Sequence, residues 1–252
     1  MSKKFQLTVV RHGETNYNFQ RIVQGHTDVP LNENGQMQAI KLGKCLSQEK
    51  FSHWFTSDLR RASETCRLIK SQNKFAQLNS EPEDVKCQTK FDNRIRERSF
   101  GVLEGKPSSE LHEAAKHACL SLREFTAEGG ETEMQIRKRA EEFYGILFTQ
   151  IYDECSNSDS EFCANVFVVS HGGIINSTCL LFNSKFGCQF EENLPYYFHN
   201  CSTSCFIVNL PPSCDDGSSI QFEVDSKDLD ESFTHNWLDG VTIKCTKLGY
   251  EH

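Results

Sequence analysis

The chain of 252 residues has no long basic run and no long apolar segment, and its formal net charge is −8. An acidic chain without a basic cluster lacks the electrostatic footprint of nucleic-acid binding, so we expect no nucleic-acid partner. No segment approaches the length of a membrane-spanning helix, and the initial MSKKFQLTVV contains no apolar signal core. We therefore expect a cytoplasmic protein with no stable membrane association.

The spacing of a zinc module is also missing, because none of the twelve cysteines forms a C-x-x-C pair. Without a signal core, the cysteines do not indicate the disulfide framework of a small secreted protein either. We expect reduced, mostly buried thiols, as in a cytosolic protein.

No internal repeat or linker divides the sequence, and its length suits one substantial α/β domain. Hydrophobic residues make up 37% and charged residues 25%, a composition typical of a folded globular chain. We expect a single domain over residues 1–252. The motifs described below fall in residues 7–173, and C-terminal strands and a tail follow in residues 201–252.

Apolar strand patterns alternate with helical patterns along the chain. The predicted strands include residues 5–10, 53–56, 164–169, 204–210 and 219–224. Between them, a helix is predicted from Leu59 to about Lys70, with Ser57 or Asp58 as its cap. This alternation predicts an α/β protein with three layers, α/β/α, around a mostly parallel central sheet.

Two of the strands end in a histidine followed by a glycine. The first delivers Arg11-His12-Gly13 and the strand at 164–169 delivers Ser170-His171-Gly172-Gly173. Because the carboxyl ends of parallel strands meet at one edge of a sheet, we expect His12 and His171 to lie close together there. Such a site suits nucleophilic attack by His12 on a phosphoryl group, with one ring nitrogen held by a backbone carbonyl such as that of Gly13.

Phosphoryl transfer also needs cations and a proton donor. Arg11 and Arg61 are the candidate cradle, because guanidinium groups match phosphoryl oxygens and keep their charge. Arg60 and Arg61 are adjacent at a predicted helix start, so only one of them can point inward. His171 would be a second group that stabilises the transferring phosphoryl.

The remaining candidates are less sharply defined by spacing. Asn18, Gln24 and Gly25 lie on the loop after His12 and could contact phosphate or substrate hydroxyls, although each alone also fits an ordinary turn. Three carboxyl groups compete for the role of proton donor, and the spacing does not choose among them: Glu97, Glu104 and Glu110.

Five blocks of sequence, in order, resemble the histidine phosphatase (phosphoglycerate mutase-like) superfamily. They are LTVVRHGETNYN, SDLRRASET, IRERSFGVLEG, GGET and VVSHGG, and they span residues 7–173. A single R-H-G is weak evidence, but five blocks in register are specific. The resemblance implies a phosphoglycerate mutase-like fold.

The resemblance also implies roles for individual residues. His12 would be the residue that is phosphorylated, and Glu97 would be the proton donor, with Glu104 and Glu110 as second choices. Arg11, Arg61 and His171 would bind the phosphoryl group, while Asn18, Gln24, Gly25 and the Gly172 backbone complete substrate binding. No metal or other cofactor is expected, because arginine and histidine side chains supply the positive charge.

The activity implied by the resemblance is hydrolysis of a small phosphorylated metabolite. The expected substrate is fructose 2,6-bisphosphate, which gives fructose 6-phosphate and phosphate and would lower glycolytic flux. The alternative is a mutase or broad phosphatase acting on 2,3-bisphosphoglycerate and related acids. A rival of another class is a catalytically silent binding protein on the same scaffold. The resemblance alone also allows an association with the nucleus or mitochondria.

Overall fold

The computed structural model describes residues 3–78, 88–156, 160–190, 197–211 and 242–250. Within these residues a single sheet contains β1 (Lys4–Arg11), β2 (His53–Thr56), β3 (Thr89–Phe91), β4 (Phe162–Ser170), β5 (Thr203–Asn209) and β6 (Thr242–Tyr250). The spatial order is β3-β2-β4-β1-β5-β6. The first four strands in that order are parallel, and β5 and β6 are antiparallel additions at one edge.

Helices connect the strands and cover the sheet. They are α1 (Asn16–Phe19), α2 (Glu33–Cys45), α3 (Arg60–Lys70), α4 (Lys74–Leu78), α5 (Ser108–His117), α6 (Glu133–Ser156) and α7 (Gly172–Phe186). Two short 3₁₀ helices, Asn93–Ile95 and Gly101–Leu103, flank the segment that carries Glu97. Among the helices described here, none is both long enough and apolar enough to cross a bilayer.

Alternate residues of the central strands pack into two different hydrophobic clusters. Val166 and Val168 of β4 face a cluster built with α6 and α7, whereas Phe167 and Val169 face a cluster built with α2 and α3. Because side chains of a strand point alternately to opposite faces, burial on both sides requires the continuous apolar run seen in the sequence. The predicted three-layer α/β/α fold with a mostly parallel sheet is confirmed.

The predicted local cap of α3 is wrong. The helix begins at Arg60, whose backbone N–H donates to Asp28 Oδ1 at 2.7 Å. Asp58 instead receives two hydrogen bonds from the guanidinium of Arg96. The hydroxyl of Ser57 accepts from the Leu59 N–H, at 3.3 Å, and not from a residue within the helix. The first N–H group of α3 is thus capped by Asp28, a carboxylate from a distant loop. Ser57 or Asp58, which lie next to the helix in sequence, had been expected to cap it.

The expectation of reduced thiols is wrong for one pair of cysteines. Cys155 at the end of α6 and Cys163 in β4 form a disulfide, with their Cα atoms 5.5 Å apart. Among the other described cysteines, four are buried and two, Cys45 and Cys119, are exposed. Cys87 and Cys214 lie outside the described residues.

The C-terminal strand predictions have mixed outcomes. The strand expected at 204–210 is present as β5, and the strand expected at 219–224 lies outside the described residues. Part of the tail forms β6, which pairs with β5 in antiparallel register. The sheet is therefore built from both ends of the sequence.

Candidate active site

His12 and His171 meet at the carboxyl edge of the sheet. They follow Arg11 of β1 and Ser170 of β4, which are register partners in adjacent parallel strands. The centroids of the two imidazole rings are 5.1 Å apart, and both side chains are buried. The predicted convergence of the two strand-end histidines is confirmed.

The orientation of the His12 ring is fixed by the backbone. Its Nδ1 lies 2.7 Å from the carbonyl oxygen of Gly13. A carbonyl can only accept, so Nδ1 carries the proton and Nε2 keeps its lone pair. Burial lowers the pKa of His12 well below its ordinary value, and the charges of Arg61 and Arg11 lower it further. The imidazole is therefore neutral at neutral pH, which is the form that acts as a nucleophile.

The side chain of His171 is fully buried. Neither Nδ1 nor Nε2 has a hydrogen-bond partner among the described residues. Burial lowers the pKa of His171 well below its ordinary value, with further lowering by Arg61, His12 and Arg11. Buried polar atoms are normally paired, so two unpaired ring nitrogens beside two arginines fit a site that receives a polar group from outside the chain.

Arg61 points inward and its neighbour Arg60 outward. The Arg61 side chain is fully buried, and it donates to the carbonyl oxygens of Thr27 at 3.0 Å and Gly25 at 2.7 Å. Burial lowers the pKa of Arg61 to about 10, an effect that Glu97 and Asp28 oppose, so the group stays charged at neutral pH. Its Nε has no partner among the described residues.

Arg11 is the second buried cation at this edge. Its guanidinium carbon lies 4.6 Å from the ring centroid of Tyr197, and Nη1 donates to the carbonyl of Phe198. Its Nε is unpaired within the described residues. Gly172 is the first residue of α7, and a Cβ there would lie 3.6 Å from Arg11 Nε. The N-terminus of α7 and the guanidinium of Arg11 thus lie side by side and together make this side of the site electropositive.

The three candidate carboxyl groups occupy different environments. Glu97 lines a cavity of about 270 Å³ together with Arg11, Gly172 and Gly173, and its Oε2 accepts from the Gly173 N–H at 3.2 Å. By contrast, Glu110 is exposed and lies 4.0 Å from Lys106. Of Glu97 and Glu110, only Glu97 lines the cavity with Arg11.

Glu104 has a structural part in the loop after His12. Its two oxygens accept five hydrogen bonds, which come from groups of His26, Thr27, Ser99 and Phe100. Burial alone would raise the pKa of Glu104, but these hydrogen bonds outweigh it and lower the pKa. An ionised carboxylate with its oxygens occupied in this way fits an anchor better than a proton donor.

Asn18, Gln24 and Gly25 shape the same loop. The amide oxygen of Asn18 accepts from the Thr15 N–H, and that of Gln24 lies 2.9 Å from Thr15 Oγ1. Gly25 has a φ of +52°, and a Cβ there would lie 2.1 Å from Glu104 Oε1, so a larger residue does not fit. These contacts hold the loop, and direct contact with a substrate stays a prediction for all three residues.

Sequence reasoning missed the segment at 197–202, which covers the end of β1. Asn200 Nδ2 donates to the carbonyl of His12 at 2.9 Å, and the Cys201 N–H donates to that of Arg11 at 3.0 Å. No local motif marks this segment. Thr65 was also missed, although it ends the SDLRRASET block; its Oγ1 accepts from the Gly13 N–H at 2.9 Å.

Comparison with known proteins agrees with this geometry. The sequence profile of the histidine phosphatase superfamily (branch 1) matches residues 7–209. The chain therefore belongs to the histidine phosphatase superfamily, and its enzyme class is phosphatase.

Relatives of known name include fructose-2,6-bisphosphatase TIGAR of Bos taurus, which is 36% identical over 82% of this chain and 89% of its own length. The TIGAR of Xenopus tropicalis is 43% identical over 61% of this chain, a match that spans only 53% of that protein. A broad-specificity phosphatase of Saccharomyces cerevisiae is 33% identical over 68% of this chain and 66% of its own length. Among solved structures, that of mycobacterial hydrolase 2 shares the fold with a TM-score of 0.72, at 20% identity and over 100% of this chain and 92% of that one.

Proposed function

We propose that this protein hydrolyses fructose 2,6-bisphosphate to fructose 6-phosphate and phosphate through a phosphohistidine at His12. One observation carries the mechanism: the neutral His12 ring, held through Nδ1 by Gly13, lies beside His171 and two buried arginines. The choice of substrate is supported by the TIGAR relatives, which are named for that activity.

In the first step, the Nε2 lone pair of His12 attacks phosphorus as the bond from phosphorus to the sugar oxygen breaks. Glu97, as the carboxylic acid, gives its proton to the leaving oxygen. Arg11, Arg61 and His171 stabilise the charge on the transferring phosphoryl oxygens. The products are the sugar alcohol and a phosphohistidine.

In the second step, water attacks the phosphohistidine and the P–N bond breaks. Glu97, now a carboxylate, takes a proton from the attacking water, so that phosphate leaves and both side chains return to their starting forms. The chemistry needs no redox partner. Asn18, Gln24, Gly25 and the Gly172 backbone are proposed to contact the rest of the substrate.

The second candidate function uses the same phosphohistidine on other phosphate esters. The relatives include a broad-specificity phosphatase and a phosphoglycerate mutase-like protein of Arabidopsis thaliana, 33% identical over 68% of both chains. A mutase or broad phosphatase would act on 2,3-bisphosphoglycerate and related acids. The two functions differ in which substrate binds best and whether water or a second substrate oxygen accepts the phosphoryl group.

The proposal also covers the domain organisation, the class of substrate and the cellular compartment. We take residues 1–252 as one domain, a division supported by a sheet that contains strands from Lys4 to Tyr250. A small phosphorylated sugar would be the partner, and glycolytic flux in the cytoplasm would fall when it is consumed.

The test is brief incubation with bisphosphate labelled at the 2-phosphate, followed by rapid quenching. The wild-type protein should carry an acid-labile, alkali-stable label, and His12→Ala should carry none and lose turnover. The exposed His117 provides the matched control, because His117→Ala should keep both label and turnover. Turnover by His12→Ala at the wild-type kcat would refute the mechanism.

Substrate choice is tested by measuring kcat/KM on fructose 2,6-bisphosphate and on 2,3-bisphosphoglycerate. A preference above a hundredfold for the sugar corresponds to about 2.7 kcal/mol of transition-state binding and would support the first function. Equal values, or a preference for the glycerate, would favour the second.

A further inference from the structure

The segment that carries Glu97 has no regular secondary structure of its own. It runs from the 3₁₀ helix Asn93–Ile95 to the 3₁₀ helix Gly101–Leu103. A proton donor has to stay within hydrogen-bond reach of the leaving oxygen, so this backbone needs support from elsewhere.

Three of the supporting contacts come from one side chain of α6. The guanidinium of Arg139 donates to three backbone carbonyls of the segment, those of Arg94 at 2.7 Å, Arg96 at 2.6 Å and Glu97 at 2.9 Å. A planar guanidinium presents its donors in a fixed fork, which an ammonium cannot reproduce. Arg139 therefore fixes the backbone before, at and around the proposed proton donor.

Arg139 is itself held by Glu131. The carboxylate of Glu131 accepts from Arg139 Nε and Nη2, both at 2.8 Å, and from the Ser99 N–H at 2.8 Å. Burial alone would raise the pKa of Glu131, but the bonds from Arg139 and Ser99 outweigh it and lower the pKa. Arg139 thus holds the backbone before and at Glu97, and Glu131 holds it after Glu97, at Ser99.

The same carbonyl is contacted from the phosphoryl side of the site. His26 Nε2 lies 2.8 Å from the carbonyl oxygen of Glu97, and His26 sits between Gly25 and Thr27, whose carbonyls accept from Arg61. The loop that holds the Arg61 cradle and the segment that carries Glu97 are therefore joined at one atom.

We infer that Arg139, held by Glu131, is a positioning residue that keeps the Glu97 carboxyl at the leaving oxygen. This inference rests on the proposed function of Glu97 as the proton donor. The inference predicts a selective effect: loss of the Arg139 guanidinium impairs the first step, in which the leaving oxygen needs a donated proton. A nitrophenolate leaves without protonation, whereas a sugar alkoxide does not.

The experiment compares turnover of fructose 2,6-bisphosphate with that of p-nitrophenyl phosphate. The parameter is kcat/KM, because it reports formation of the phosphohistidine and not its later hydrolysis, which both esters share. Arg139→Met should lower kcat/KM on the bisphosphate by about a hundredfold, the scale of general acid catalysis, and on the nitrophenyl ester by less than about threefold. Glu97→Gln should give the same pattern, and the double variant should be no slower than Glu97→Gln. Arg139→Lys should recover little of the lost activity on the bisphosphate, since an ammonium cannot bond several carbonyls in the planar geometry of a guanidinium.

The matched control is Arg137→Met, because Arg137 lies on the same helix and its guanidinium donates to Ser184 at the surface. It should keep wild-type turnover on both esters. Glu131→Gln provides a second, nearly isosteric test if Arg139→Met does not fold, and it should show a weaker form of the same selectivity.

Two results would overturn the inference. One is an equal loss on both esters for Arg139→Met and Glu131→Gln in folded protein, and the other is a double variant whose losses multiply. If Glu97→Gln itself lacks the selectivity, the proposed acid role fails and the inference fails with it. If Glu97→Gln shows the selectivity and the Arg139 and Glu131 variants do not, only the inference fails.

Discussion

The carbonyl oxygen of Gly13 lies 2.7 Å from Nδ1 of His12, the residue before it in the chain. This short contact assigns the proton to Nδ1 and leaves Nε2 free to attack. The tautomer of His12 is therefore set by the backbone carbonyl of the next residue and does not depend on a carboxylate partner. Thr65 holds Gly13 in turn, through the Gly13 N–H.

Replacement of His171 by asparagine should lower kcat by about 10²- to 10³-fold, the usual loss for one group that stabilises a transition state. His171 has no hydrogen-bond partner within the described residues, so its removal leaves no protein group unpaired. Steady-state kinetics on the bisphosphate measure the loss. The exposed His117→Asn serves as the control, and equal rates for the two variants would contradict the prediction.

Replacement of Arg61 by lysine should lower kcat/KM by at least about tenfold, because an ammonium cannot bond both carbonyls and a phosphoryl oxygen in one plane. The free energy of unfolding should also fall by about 1.5–3 kcal/mol, the range for hydrogen bonds to charged groups. Kinetics and urea denaturation measure the two effects. Arg60→Lys on the exposed side of the same helix should change neither.

Gly25→Ala and Gly105→Ala form a matched pair, since both glycines have positive φ, +52° and +81°. A Cβ at Gly105 meets nothing within 4 Å, so only the backbone cost of about 1–2 kcal/mol applies. At Gly25 the Cβ also displaces Glu104, and the total loss should reach about 3 kcal/mol. Similar losses for both variants in urea denaturation would show that the contact with Glu104 is unimportant.

The two buried histidines should make stability depend on pH below about 6.5, the ordinary pKa of histidine in the unfolded chain. Their pKa values are lowered in the folded state, so the unfolded chain binds protons first and stability falls as pH decreases. The slope reaches about 1.4 kcal/mol per pH unit for each histidine. Above about pH 7.5 both states are neutral at these sites and the contribution is fully present.

Urea denaturation between pH 7.5 and about 5.5 measures this dependence in the wild-type protein and in the double variant His12→Asn/His171→Asn. The slope should be shallower in the double variant, whatever its absolute stability. Gly105→Ala, which changes no titratable group, should leave the slope unchanged. Parallel curves for wild type and double variant would contradict the burial effect.

Local sequence patterns were sufficient to predict the central strands and the position of the two histidines at the ends of β1 and β4. An apolar run ended by histidine and glycine predicts a buried strand that delivers a side chain to the sheet edge, and β1 and β4 both do so. Helical spacing does not decide the burial of single side chains: Met134 and Ile146 are apolar residues of α6, yet they are 63% and 43% exposed. Spacing describes one face of a helix, and the neighbours decide how much of it is covered.

Three features can be recognised without coordinates: the α/β alternation, the strand-end positions of His12 and His171, and the motif blocks that mark the superfamily. Each of these depends on residues close together in the chain. The folded chain, in contrast, shows that Glu97 faces the cavity while Glu104 anchors a loop. It also shows that Asp28 caps α3 and that Arg139 and Asn200 support the site. Those choices depend on contacts between distant segments, which packing of the whole chain fixes and local spacing does not.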